Sequence, residues 1–229
     1  MERRNRAYIP SMPLPPDPRT TYDPTDPAED APLAGKHRLV RETKRLVEAV
    51  AHLDADETDS DEITALADEI AAAADRAEAQ PSLHAKGGLA GVGGHQGALL
   101  ERSGISGRSN PLAAPVQWHE DGADVLHAWA TYSPAYEGPL GHVHGGFVAA
   151  AFDDVLGCAQ MKSGQAGYTG TLTIKMVRPT PLGKRIDYSA GVDRVDGRKI
   201  YVWGTSECEG ERLGEAEIVF IAPKSGMPR

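Results

Sequence analysis

A histidine followed by two glycines, an apolar run and then a pair of carboxylates is the chemically richest stretch of this 229-residue chain: His144-Gly145-Gly146, Phe147 to Phe152, Asp153-Asp154. Phe147, Val148, Ala149, Ala150, Ala151 and Phe152 leave no polar stripe, so the helix they predict is buried on most sides. The first N–H groups of a helix have no internal partners and carry the positive end of its dipole. Glycines there let a carbonyl or phosphate come close. A carbonyl oxygen held by such amides becomes more electrophilic, and its developing oxyanion is stabilised. A buried, unpaired carboxylate is costly or has a raised pKa. One of the two aspartates therefore reaches solvent at an edge or is kept inside for chemistry. Asp153, two turns beyond the glycines, cannot reach a carbonyl held at the start of its own helix. In a two-fold dimer with two such helices side by side, it reaches the partner's.

The elements around this helix set its surroundings. The helix is expected over Gly145–Lys162, about 25 Å at 1.5 Å per residue. Val116–His119 and Val125–Tyr132 are predicted strands joined by an Asp121–Gly122 turn. A loop, Ser133–His144, leads to the helix. Four strand-like runs follow: Thr169–Val177, Lys184–Val195, Ile200–Cys208 and Leu213–Ala222, with turns at Asp196–Gly197 and Glu209–Gly210. They are expected to form one meander. In the first run Leu172, Ile174 and Met176 alternate with Thr169, Thr171 and Thr173. Two strands, a helix and four antiparallel strands make an α+β plan: a sheet wrapped around one long helix.

The N-terminal part reads differently. Residues 1–35, rich in Pro, Asp and Thr, are expected to form an extended or disordered arm. Residues 36–80 suggest an acidic helical hairpin. Its first helix would bury Leu39, Leu46, Val47 and Val50; its second would start at Ser60 as N-cap and present Ile63, Leu66, Ile70 and Ala73. Alone, the pair has too little apolar surface to be a domain, so it is expected to pack on something else. Residues 81–109 read as a Gly-rich linker. Its two GG pairs lack a preceding strand and a following GK[ST], which excludes a phosphate loop. The compact domain is placed at 110–229.

His144-Gly145-Gly146, Asp153 nine residues after the histidine, Gly157, Thr169 and the turn Arg178-Pro179-Thr180-Pro181-Leu182-Gly183 together resemble the hotdog-fold acyl-CoA thioesterases, in the phenylacetate-pathway, PaaI-type and THEM4-like subgroup. The resemblance covers about 110–222. It implies a hotdog fold, a homodimer at least with a tetramer left open, acyl-CoA as substrate, no metal, and no cofactor beyond the coenzyme A of the substrate. It implies Asp153 as the catalytic carboxylate, acting as general base or as nucleophile. It implies Gly145 as oxyanion-hole donor with Gly146 behind it, Thr169 as a group positioning the carboxylate or water, and His144 as orienting the loop or the thioester. One departure stands out: some relatives have an Asn six residues before the histidine, where this chain has Gly138.

Other candidates carry less. Arg178, Lys184 and Arg185 flank the RPxPLG turn and could meet coenzyme A phosphates; as turn charges they are equally ordinary. His142 and His144 could place two metal ligands on one strand face, but no third ligand is in register. Trp118, Trp129 and Trp203 read as packing residues, and Cys158 as a small buried hydrophobe.

Charge narrows the function classes. Of the net −9, residues 1–80 hold 18 acidic and 10 basic side chains, and residues 81–229 hold 15 and 14. No clustered basic face favours nucleic acid. No long apolar run suggests a membrane span, and no apolar stretch after the basic N-terminus suggests a secretory signal. Two distant cysteines fit a reducing cytoplasm. A hydratase on the same fold would want a His about five residues after the aspartates, and there is none. A non-catalytic acyl-CoA sensor or scaffold is the alternative from another class.

Overall fold

The computed structural model describes residues 34–83, 101–114, 116–119 and 124–224. The proposed N-terminal arm, the Asp121–Gly122 turn and most of the Gly-rich stretch lie outside these residues. The described elements are α1 (Ala34–Ala51), α2 (Ser60–Glu78), β1 (Gln117–His119), β2 (Val125–Thr131), α3 (Gly145–Ala159), β3 (Tyr168–Met176), β4 (Arg185–Asp196), β5 (Lys199–Cys208) and β6 (Glu211–Ile221). A 3₁₀ turn, Gln160–Ser163, extends α3 to Gly164, whose φ of 74° ends it.

The strands form one antiparallel sheet in the order β1-β2-β4-β5-β6-β3. The expected four-strand meander is correct only for β4, β5 and β6. β3 does not pair with β4; it crosses to the far edge and pairs with β6. The reason lies in β4, whose other side is taken by β2 along seven paired residues, Val125↔Gly191 to Thr131↔Arg185.

The sheet wraps α3. Phe152, Val155 and Leu156 are fully buried, each contributing about 1.5–3 kcal/mol by leaving water. They meet Tyr132, Tyr188, Ile186, Val202 and Ile218 in a single cluster. The sheet makes room with glycines: a Cβ on Gly204 would stand 2.4 Å from Leu156 Cδ1, and one on Gly214 would stand 3.1 Å from Phe152 Cε2. Two polar clusters inside are paired. The Tyr132 and Tyr188 hydroxyls share a hydrogen bond of 2.9 Å. Gln160 brackets Gly167, accepting from its N–H at 2.9 Å and donating to its carbonyl at 3.3 Å. Cys158 and Cys208 are buried free thiols.

Both N-terminal helices exist, with two corrections. The N-cap of α2 is Asp59, not Ser60: its carboxylate accepts from Asp61 and Glu62 N–H at 2.8 and 3.3 Å. An Asp at this position also meets the positive helix end, which a Ser hydroxyl cannot match. The second correction is the buried face of α1. Leu39, Leu46, Val47 and Val50 are exposed, while His37 and Val40 are buried. Buried His37 is tied to Glu101 at 2.9 Å, and this polar contact turns the helix. Helix α2 buries no residue. From Glu101 onward the chain lies against the domain, with Ser106, Ala113 and Ala114 buried.

Candidate active site

Helix α3 opens at His144, whose backbone leaves the helical region (φ −58°, ψ 131°) and whose Nδ1 accepts from the Gly146 N–H at 3.0 Å. The proton of the neutral ring then sits on Nε2. His144 is thus the N-cap. The amide of Gly146 is engaged by it, and the amide of Phe147 donates to the His144 carbonyl at 2.9 Å. The Gly145 N–H has no acceptor among the described residues. It is the amide in this turn left to meet an incoming oxygen, with the positive end of α3 behind it. Met176 of β3 closes over it: a Cβ on Gly145 would lie 3.3 Å from Met176 Cε.

The loop before the helix is held tightly. His144 N–H donates to the Tyr136 carbonyl, and Val143 N–H to the Thr180 carbonyl, both at 2.9 Å. The departure at Gly138 has a steric cause. A Cβ there would stand 2.6 Å from His144 Cα and 2.9 Å from His144 Cβ, so this loop excludes an Asn. His142 turns its Nδ1 to the Leu140 carbonyl at 2.8 Å. Among the described residues no group of three or more His, Cys, Asp or Glu is placed to hold a metal.

Asp153 lies two turns along α3, half-buried, on the side facing β3. The Thr169 hydroxyl donates to its Oδ1 at 3.0 Å. Simple alternation puts Thr169 with Thr171 and Thr173 on the face away from Leu172. A β-bulge corrects this. Thr169 pairs with Phe220 and Thr171 with Val219, so Gly170 is an extra residue, and the parity of the strand flips there. Thr169 therefore shares the face of buried Phe220 and reaches the helix. The neighbouring Asp154 turns another way and accepts from Ser103 Oγ at 3.1 Å. Gly145 and Asp153 stand eight residues apart on one helix, about 12 Å. Within one chain they do not converge.

The three cations expected near phosphate each hold a protein acceptor. Arg178 donates to the Arg212 carbonyl at 2.8 Å and pairs with Glu211 at 3.2 Å. Lys184 bonds Glu209 at 2.8 Å. Arg185 bonds Asp187 at 2.8 Å and lies over the Trp129 ring. These are exposed pairs at strand ends, worth little each. Sequence reasoning missed Met176 and Ser103 as neighbours of the site residues; no local pattern signals either contact.

Residues 140–215 match the thioesterase superfamily. Acyl-coenzyme A thioesterase THEM4 of Xenopus laevis is 32% identical over 68 residues, which is 30% of this chain and 31% of that protein. A crystallised protein described as a thioesterase superfamily protein superposes with a TM-score of 0.68 at 26% identity, over 81% of this chain and 94% of its own. That share exceeds the 110–229 portion, so the likeness takes in N-terminal residues that the sequence resemblance left uncovered.

Proposed function

From the premise that residues 140–215 carry a thioesterase superfamily domain, we propose that this chain hydrolyses acyl-CoA thioesters to a free carboxylic acid and coenzyme A. The observation that carries the reading is the Asp153–Thr169 pair on the open side of α3. The Gly145 N–H grips the thioester carbonyl and stabilises the oxyanion that forms on it. Asp153 takes a proton from water as the water attacks, and Thr169 fixes the carboxylate's orientation. Collapse of the tetrahedral intermediate expels the thiolate, which is a good leaving group and needs little help from an acid.

In this reading the two groups that serve one thioester come from different subunits of a two-fold homodimer, which the separation of about 12 Å between Gly145 and Asp153 within one chain supports. β3, at the sheet edge beside Asp153, is paired on one side only among the described residues, and its open edge suits a second copy. No described helix is long and apolar enough to cross a membrane.

Purified protein should release free thiol from acyl-CoA, seen with a thiol reagent. Asp153→Asn should reduce this by about 10²–10⁴-fold while leaving the fold intact. A folded Asp153→Asn protein of full activity would overturn the assignment. Stoichiometric acyl-CoA binding without thiol release by the wild type would favour the sensor reading.

A further inference from the structure

Helices α1 and α2 each turn an apolar seam to solvent, and the two seams share one pattern. On α1, Leu39 and Leu46 stand seven residues apart, Leu53 follows seven further on just past the helix end, and Thr43 and Val50 fill the positions between. On α2, Ile63, Leu66 and Ile70 keep the same alternation of three- and four-residue steps, which Ala73 and Ala77 continue. These are heptads with leucine at d and β-branched residues at a, the combination that packs two helices by knobs into holes. Neither seam is buried: Leu39 is 57% exposed and Val50 55%, and Leu46, Leu66 and Ile70 are exposed as well. The α1 seam is held outward by its opposite face, where buried His37 meets Glu101 at 2.9 Å. Helical stability comes mostly from packing an apolar face, and α2 buries no residue.

The charges beside the seams differ in sign. On the exposed side of α1 stand Lys36, Arg38 and Arg45 against Glu42. Helix α2 carries six carboxylates against the single Arg76, all exposed. Two copies of α1 side by side would set like charges together, and so would two copies of α2; α1 against α2 joins opposite signs. Within one chain the two helices leave both seams open, so the matching surface comes from another molecule. A second copy of this chain offers both halves of the match at once. In a two-fold pair it occurs twice, α1 of each copy lying on α2 of the other.

We propose that the helical hairpin is a self-association element, in which the basic, leucine-seamed α1 of one copy packs on the acidic, isoleucine-seamed α2 of a second copy of this chain. The apolar seams supply the driving force, and the flanking charges select α1–α2 contacts over α1–α1 and α2–α2 ones. This interface is separate from Gly145, Asp153 and the edge of β3, and it stands whether or not the chain cleaves thioesters.

Cross-linking of co-expressed full-length chains tests the proposal. One chain carries Ala49→Cys on α1, the other Ala67→Cys or Ala74→Cys on α2, and a short bis-maleimide joins them. These alanines are exposed beside the seams, and both native thiols are buried. The two α2 positions cover the antiparallel and the parallel arrangement. A linked pair with one chain of each kind is expected on a denaturing gel, in about tenfold or more excess over like pairs, and it should be lost when both chains also carry Leu46→Glu. Val50→Glu serves should Leu46→Glu fail to fold. The gel reads contact and not activity, so a failure of the thioesterase reading leaves the test intact. Absence of the mixed pair at both α2 positions, like chains linking as readily as unlike ones, or a mixed pair that survives Leu46→Glu in the folded protein overturns the interface and leaves the seams to another segment of this chain or to a different protein.

Discussion

The Thr169 hydroxyl donates to Asp153 Oδ1 across 3.0 Å, joining the edge strand β3 to the central helix α3. The contact exists because Gly170 is an extra residue opposite the β6 register, which rotates Thr169 inward. A hydrogen bond to a carboxylate is worth about 1.5–3 kcal/mol. Thr169→Val, which keeps the shape and removes the hydroxyl, should therefore lower kcat by about 10- to 100-fold with a small change in KM. Thr169→Ser should keep most of the activity. Steady-state kinetics of the two variants decide; equal kcat values for Val and wild type would separate Thr169 from catalysis.

Gly138 supports the loop that ends in the His144 cap. A Cβ at this position meets His144 Cα at 2.6 Å, and backbone cannot yield as a side chain can. Gly138→Ala should cost about 1–3 kcal/mol of stability by overpacking. It should also displace His144 and with it the Gly145 amide, so activity should fall further than stability accounts for. Thermal melts and thiol-release assays on one preparation test both parts. A variant with wild-type melting temperature and rate would show that the loop has room.

The central helix, the strands and the turns at Asp196–Gly197 and Glu209–Gly210 were legible in the sequence because their signals are local. Motif spacing also marked His144, Gly145, Asp153 and Thr169. What the sequence concealed depends on distant partners. The sense of Thr169 was misread because a bulge shows only in the pairing of β3 with β6. The inward face of α1 was misread because Glu101, 64 residues from His37, draws a polar stripe in. The reason for a glycine at 138 was not legible either, because it lies in the approach of His144, six residues on, to that position.

The Tyr132–Tyr188 hydroxyl pair gives the core a pH limit. Burial, against the pull of its hydrogen bond to Tyr132, pushes Tyr188 up to about 12. Burial, with the charge and hydrogen bond of Tyr188, lifts Tyr132 well above its usual value. Unfolded phenols titrate near 10. Raised folded values mean that the native state holds more protons than the unfolded state at high pH. The stability from this pair is thus full below about pH 10 and drains as pH climbs towards 12. Phenolate absorbance of these two residues should appear only with unfolding. Tyr188→Phe should cost about 1–3 kcal/mol by leaving the Tyr132 hydroxyl alone in the core, while the double Phe variant should recover most of that loss. A double variant no more stable than Tyr188→Phe would show that the hydroxyls do not act as a pair.

Gly145→Pro isolates the amide proposed to hold the oxyanion. Gly145 is the first residue of α3, where proline is well tolerated because the N–H makes no helical bond. His144, at φ −58° and ψ 131°, already has the backbone a pre-proline residue needs. A Cβ at this position meets the flexible end of Met176, at 3.3 Å from its Cε. The variant should fold and lose about 10²–10³-fold in kcat. The shared site then makes a sharper prediction. A mixed dimer of Gly145→Pro and Asp153→Asn chains contains one site with both groups intact and one with neither. Random reassociation of equal amounts should restore about a quarter of wild-type activity from two nearly dead proteins. If one chain supplied both groups, every site in the mixture would stay damaged and the rate would not rise above the sum of the two parents.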